Sequence, residues 1–370
     1  MRYIIGVDEA GYGPNLGPLV IAATAWEILD PQLGLHELDL YAALAKGVTT
    51  ESCRAGTGSR PADARLWIAD SKQVYQSGKG LDQLERGVLS CLRCLDQHCE
   101  TWQELCQVLA PGDLAKGDLA KWYGGYACSL PAATTSEHLE ASADLLANVT
   151  RDAGVRLKAI SCRIIFAEEF NQLVQQCGTK GVVLSEASVN LVAGLIDQLT
   201  EATTVDQEAE KTLVGQCHSG NAAMFAANEP RNEKQATSRN NPSKFAVYCD
   251  KHGGRNKYAA LLQNVFDDCF PRILAESGNL SAYDCVSREQ EIRFRFEVKG
   301  ERHLPVALAS MNAKYVRETV MRAFNAYWQE KIPALKATAG YPVDAKRFLA
   351  EISTEMKLHG IAKDKIWRIR

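Results

Sequence analysis

The stretch "YIIGVDEAGYGPNLGPLVIAATAWEI" at residues 3–28 limits what this chain can become more than any other. Residues 3–7 and 18–26 are apolar and β-branched, and a loop with glycines at 11, 13 and 17 joins them, which predicts two neighbouring strands. The first run ends in two adjacent carboxylates, Asp8 and Glu9. In a regular strand these would point to opposite faces, so both can serve one site only if the chain leaves the pleat there. A phosphate-cradling reading of the loop fails on spacing, because the glycines fall at i, i+2 and i+6 rather than i, i+2 and i+5. Pro14 also removes an amide donor, and two carboxylates directly before the loop would repel phosphate.

Two more predicted strands end in carboxylates. "KFAVYCD" ends at Asp250, and "QEIRFRFEVKGE" alternates through Ile292, Phe294, Phe296 and Val298 before reaching Glu301. A single carboxylate at a strand end is ordinarily a turn-former, a cap or half of a surface ion pair. Three strand ends together shift the reading, because open α/β sheets gather reactive groups beyond their strand ends. Four carboxylates in one place repel one another unless a cation neutralises them. Oxygen donors without histidine or thiolate suit Mg²⁺ or Mn²⁺, and such a cluster would hold two ions about 3.5–4 Å apart.

The 370 residues suffice for one elaborated domain or two, and the net charge of -3 excludes a whole-surface nucleic-acid binder. A polyanion partner would be held by metal ions or by local basic patches such as "DKHGGRNKY" and the tail "KLHGIAKDKIWRIR", where Trp367 sits among five Lys or Arg. His252 lies in the first patch, as a substrate or phosphate contact or a plain turn residue. The 12 cysteines are spread from Cys53 to Cys285, unlike a small disulfide framework, which suggests a reducing cytoplasmic compartment. The longest apolar stretch, Leu19–Trp26, is too short for a bilayer, so neither a membrane nor an organic cofactor is expected.

Elsewhere the pattern predicts one continuous helix over "LDQLERGVLSCLRCLDQHCETWQELCQVL", with Cys91, Cys94 and His98 on one face beside Cys99. We read this cluster as helix core rather than as a zinc site, since the second ligand pair is missing. A strand is expected over 155–166, then a helix "AEEFNQLVQQC", then a second helix opened by Ser185 as its N-cap. Residues 215–243 are polar and aperiodic, which predicts a mobile loop. "VALASMNAKYVRETVMRAFNAYWQEKI" has the period of a long amphipathic helix.

Taken in order, several of these segments resemble the type 2 ribonucleases H. "GVDEAGYGPNLGPLVIAA" is similar to the family's opening signature, "IADSKQV" to its Asp-Ser-Lys motif, and "AVYCD" and "EVKGE" to its carboxylate-ended strands. "ASMNAKYVRE" resembles its Ala-Lys-x-x-Arg-Asp helix, and "AGYPVDAKRFLAEI" its late Gly-Tyr-Pro segment. The resemblance covers about half the chain. It implies a ribonuclease H-like α/β fold, a five-stranded mixed sheet flanked by helices, whose first three strands form an antiparallel meander. The catalytic domain would comprise 1–74 and 155–370, with a mobile loop insertion at 203–243, a mainly helical insertion at 75–154 and a basic segment at 345–370.

The resemblance further implies metal ligation by Asp8, Glu9, Asp250 and Glu301, nucleic-acid contact by Lys72 and Lys314, and reading of a ribonucleotide junction by Gly11, Tyr12, Gly13 and Tyr341. The activity implied is hydrolysis of RNA in RNA–DNA hybrids, or at a ribonucleotide embedded in DNA. Tyr12 departs from the family's arginine, Glu301 from its aspartate, and Lys251-His252-Gly253 from its Gly-Asn. The alternatives are a non-catalytic nucleic-acid binder on the same fold and a related nuclease with another nucleic-acid substrate.

Overall fold

The computed structural model describes residues 1–52, 63–75, 80–116, 122–217, 242–287 and 290–369, with backbone alone over 202–217. Nine strands are described: β1 Arg2–Ala10, β2 Leu19–Ile28, β3 Val48–Thr49, β4 Leu66–Trp67, β5 Val155–Ile165, β6 Ser243–Asp250, β7 Arg272–Glu276, β8 Leu280–Val286 and β9 Gln290–Glu297. Ten described helices join them: α1 Leu40–Ala43, α2 Ser71–Val74, α3 Asp82–Arg93, α4 Trp102–Leu109, α5 Ser136–Asp152, α6 Ala167–Cys177, α7 Lys180–Cys217, α8 Ala259–Val265, α9 Leu304–Lys331 and α10 Pro342–Leu358.

Seven strands form one mixed sheet in the order β5-β2-β1-β6-β9-β8-β7, while β3 and β4 pair separately. β1, β2 and β5 form the expected antiparallel meander, and β1, β6 and β9 run parallel. The sheet is therefore the α/β architecture expected, with seven strands instead of five. The extra pair is the hairpin of β7 and β8, turned where Ser277 Oγ accepts from Leu280 N at 3.1 Å. β7 carries almost no apolar alternation to mark it in the sequence, because its residues are mostly exposed at the sheet edge.

β2 reads as a continuous apolar run because all ten of its residues are buried, as expected for a strand covered on both faces. On one side Ile4, Val20, Ala22 and Trp26 pack with α9 and the helices of residues 82–152 in a single core. On the other, Tyr3, Ile5, Val7 and Ile21 pack with α6 and α7. Over Lys180–Glu201 α7 is long and apolar enough to cross a membrane; half of that window is buried, which suits a helix laid on a sheet.

Four expectations need correction. The helix at 82–109 is interrupted: α3 ends at Arg93, Asp96 takes a positive φ of 56°, and Thr101 opens α4 with a capping box. Cys91 is buried in core while His98 lies beyond the helix, and among the described residues no three His, Cys, Asp or Glu side chains stand close enough to hold a metal. Ser185 is not an N-cap, since α7 starts at Lys180 and Ser185 is buried inside it. Residues 203–217 continue α7 instead of forming a loop, and 218–241 lie outside the described residues.

The long helix α9 crosses β1 and β2 so closely that a Cβ on Gly6 would lie 2.1 Å from the carbonyl carbon of Pro305 and 2.3 Å from Val306 N. Thr24 Oγ1 reinforces the crossing by donating to Pro305 O at 2.8 Å. Backbone cannot retreat as a flexible side chain can. Gly6→Ala should therefore lower the unfolding free energy in denaturant titration by about 3 kcal/mol, whereas Gly13→Ala, where nothing lies within 4 Å, should change it by less than about 0.5 kcal/mol.

Candidate functional site

The carboxylates meet at the end of the sheet where the parallel pairing stops. β1 and β6 pair only as far as Val7 with Cys249, yet β1 stays paired to β2 through Ala10. The strand therefore does not leave the pleat at Asp8, contrary to the geometric demand read from the sequence. Asp8 faces the helix α9 through Ser310, and although β1 keeps its pairing the Glu9 carboxyl still comes within hydrogen-bond reach of Asp8. Asp250 ends β6 beside them, and its Oδ1 accepts from Gly300 N at 3.0 Å.

Glu301 is not at a strand end. β9 stops at Glu297, Lys299 takes a left-handed φ of 60°, and Glu301 sits in the short 3-10 turn Gly300–Arg302. Gly300 lets that turn approach Asp250, since a Cβ there would be 3.0 Å from Asp250 Cα. The carboxylate at the strand end itself is Glu297, buried in ion pairs with Arg295, Arg302 and His303. Hydrogen bonds from His303 and Arg295 outweigh its burial and hold it down at about 2.

The four proposed ligands share one electrostatic field. Burial, then the charge of Glu9, pushes the Asp8 carboxyl well above its usual range. Burial and Asp250 raise Glu9 to about 7, and burial, Asp250 and Asp70 raise Glu301. Lys72 resists burial because Asp70, Glu301, Asp8 and Asp250 hold its ammonium above the ordinary value. Asp70 also caps α2, accepting from Lys72 N at 2.9 Å.

These hard, mutually repelling oxygen donors suit a divalent cation, although in the arrangement seen no three of them converge to ligating distance. Two sizeable concavities lie elsewhere, about 570 Å³ beside Asp267 and Cys285 and about 440 Å³ between β5 and α7.

The residues expected to contact substrate have the following surroundings. Lys314 lies over the Tyr75 ring at 4.8 Å and pairs with Glu318 at 2.6 Å, and Glu318 also accepts from Tyr75 Oη. Gly11 has a φ of 90° and packs on Arg317, whose Nε is 2.5 Å from where a Cβ would be. Gly340 O accepts from Asn15 N and Leu16 N, which sets exposed Tyr341 beside the turn, and Gly13 is open to solvent. Tyr12 is half-buried under Lys180 Nζ, 4.5 Å from the ring centre.

His252 is not a surface contact. It is 6% exposed, its Nδ1 is 3.1 Å from Ser185 Oγ, and burial lowers it to about 3, so it is a neutral core group joining the Asp250 loop to α7. The basic tail is also partly absorbed: Trp367 bridges to Leu16, and Arg368 is 1% exposed. Sequence reasoning missed Ser310, which hydrogen-bonds Asp8 and lies 3.0 Å from Ser71 Oγ, together with Arg317 and Glu318. Positions 310, 314 and 317 follow the i, i+4, i+7 spacing of one helix face, a signal that was readable. Nothing local points to Lys180 or Arg368.

No family model matches the chain, and no curated protein matches it. Among solved structures it is similar to the PCNA:RNase HII complex from Archaeoglobus fulgidus, at 14% identity and a TM-score of 0.39, covering 99% of this chain and 94% of that one. Similar values hold for the ribonuclease H2 from Pyrococcus horikoshii OT3, at 12% identity, a TM-score of 0.39 and coverage of 99% and 92%. For Bst-RNase HIII in complex with Mn²⁺ they are 12%, 0.35, and coverage of 99% and 66%. Likenesses this weak do not show a family.

The raised carboxyl of Glu9 makes a stability statement with a definite sign. A folded state that holds a proton more tightly than the unfolded chain loses stability as pH rises. In chelator, the thermal midpoint should fall between about pH 4.5 and 7. Glu9→Gln should flatten that slope; an unchanged slope would contradict the assignment.

Proposed function

We propose that this chain is a metal-dependent endonuclease that hydrolyses the RNA strand of RNA–DNA hybrids, or cuts at a ribonucleotide embedded in DNA, leaving 5′-phosphate and 3′-hydroxyl ends. The observation that carries the reading is the meeting of Asp8, Glu9, Asp250 and Glu301, from three distant segments, at one open sheet end. The motif order in the sequence supports it independently.

Asp8, Glu9, Asp250 and Glu301 would hold two Mg²⁺ or Mn²⁺ ions. When bound, such ions supply an activated water for in-line attack and neutralise charge on the leaving oxygen. The protein's own groups bind and orient. Lys72, in the field of the carboxylates, and Lys314, which would exchange its pairing with Glu318, would offer positive charge to the phosphates. The open Gly13 and exposed Tyr341 leave a face on which a sugar 2′-hydroxyl can be met by backbone groups and an aromatic ring. Ser310 and Ser71 tie Asp8 to α9 and α2, so the carboxyl keeps one orientation.

With Mn²⁺ or Mg²⁺, purified protein should cut a hybrid or a duplex with one embedded ribonucleotide, and Asp8→Asn should reduce the rate at least about a hundredfold. No cleavage of either substrate by the wild type would refute the activity. A second reading, a non-catalytic nucleic-acid binder, is favoured by Tyr12 in place of the family's arginine and by Lys251-His252-Gly253 in place of its Gly-Asn. It expects hybrid binding that survives both chelation and Asp250→Asn, with no products formed. Duplex DNA and duplex RNA included in the same assay identify a nuclease of different preference.

A further inference from the structure

The turn that carries Gly11, Tyr12 and Gly13 is gripped from behind by residues more than three hundred positions away. Arg368 Nη2 donates to Gly11 O and also to Pro14 O at 2.5 Å. The guanidinium lies over the Phe170 ring of α6 at 4.9 Å, and the side chain is 1% exposed. Beside it is Arg317, equally buried, which approaches the same turn from α9 and donates to Ala339 O at 2.9 Å. Arg368 Nε and Nη1 and Arg317 Nε have no hydrogen-bond partner among the described residues.

Two like charges side by side, with three N–H groups unsatisfied, are a poor way to stabilise a core. The cost for Arg317 is partly offset by Glu318 at 3.3 Å; what offsets the cost for Arg368 is the pair of charge-assisted bonds to the turn, at the positions of a glycine with positive φ and of a proline. We infer that Arg368 is a positioning residue for the Gly11–Pro14 turn, setting the shape in which the turn meets nucleic acid. This rests on reading the sheet end as a nucleic-acid site. With the carbonyls at both ends of the turn engaged by one guanidinium, its middle, Tyr12 and exposed Gly13, is what remains for a substrate.

The side chain can be tested without undoing the fold, because backbone groups hold the tail on their own. Arg368 N donates to Asn15 O at 2.8 Å, and Asn15 Nδ2 donates to Arg368 O at 3.1 Å. Asn171 clamps the same segment, donating to Asp364 O and Trp367 O at 2.9 Å and accepting from Ile369 N at 2.9 Å. Arg368→Gln removes the charge and both bonds made by Nη2, whereas Arg368→Lys keeps charge and aliphatic stem but loses the planar guanidinium that lies over Phe170 and fixes where that donor points.

Two measurements decide the inference. Amide hydrogen exchange over residues 11–17 should speed up about tenfold in Arg368→Gln and less in Arg368→Lys, with exchange elsewhere in β1 and α9 unchanged. On a hybrid substrate with Mn²⁺, KM should rise about five- to tenfold while kcat stays within about twofold. Unchanged exchange over 11–17 in both variants overturns the inference, as does an equal fall in kcat with KM unmoved. If Arg368→Gln does not fold, Arg368→Lys carries the same comparison. If wild-type protein cuts nothing, the endonuclease reading fails, and the exchange measurement still decides whether Arg368 shapes the turn.

Discussion

The contact between Gly6 and the first turn of α9 is the constraint on which the rest of the site depends. With no Cβ on Gly6, the helix backbone rests directly on β1, and Thr24 fixes the crossing by bonding Pro305. That crossing sets the rotation and height of a 28-residue helix. Ser310 then falls at Asp8, Lys314 near Tyr75, and Arg317 under Gly11. A helix held one turn higher or lower would bring different side chains to the carboxylates.

Charge is sorted across the same end of the sheet. The carboxylates sit in front, buried or half-buried where the strands of the parallel part stop, and their repulsion is only partly relieved by Lys72. The arginines sit behind: Arg368 bonds carbonyls of the turn, and Arg317 bonds Ala339 O and pairs with Glu318, rather than either reaching the four clustered carboxylates. Cations aimed at carbonyl oxygens fix backbone shape, whereas cations aimed at the carboxylates would have neutralised the field that makes this place suited to a divalent ion. Glu297 shows the contrast, four residues before Glu301 and fully engaged by Arg295, Arg302 and His303, so that it is structural.

Much of the core could be read from local pattern. Runs such as "YIIGV" and "KFAVYCD" became β1 and β6 because β-branched and aromatic residues pack well on a covered sheet. The long helix at 304–331 followed from its period. Errors arose where a local signal had to compete with packing. Ser185 looked like a cap but was absorbed when α7 began five residues earlier, and its hydroxyl instead faces His252. β7 was missed because an edge strand need not alternate. His252 and Arg368 looked like surface charge because the neighbours that bury them lie far away in the chain.

The sequence by itself determined the strands β1, β2, β5, β6 and β9, the helix α9, the places where carboxylates and glycines fall, and the motif order, because each can be read from residues within a few positions of one another. Only the tertiary structure decided which of these groups share a site. It placed Glu301 in a turn beyond the end of β9, withdrew His252 and Arg368 from solvent, and kept β1 paired through Ala10. The physical reason is that burial and Coulomb interaction act through space, and the groups they join here run from residue 8 to residue 368, farther apart in sequence than any periodicity can report.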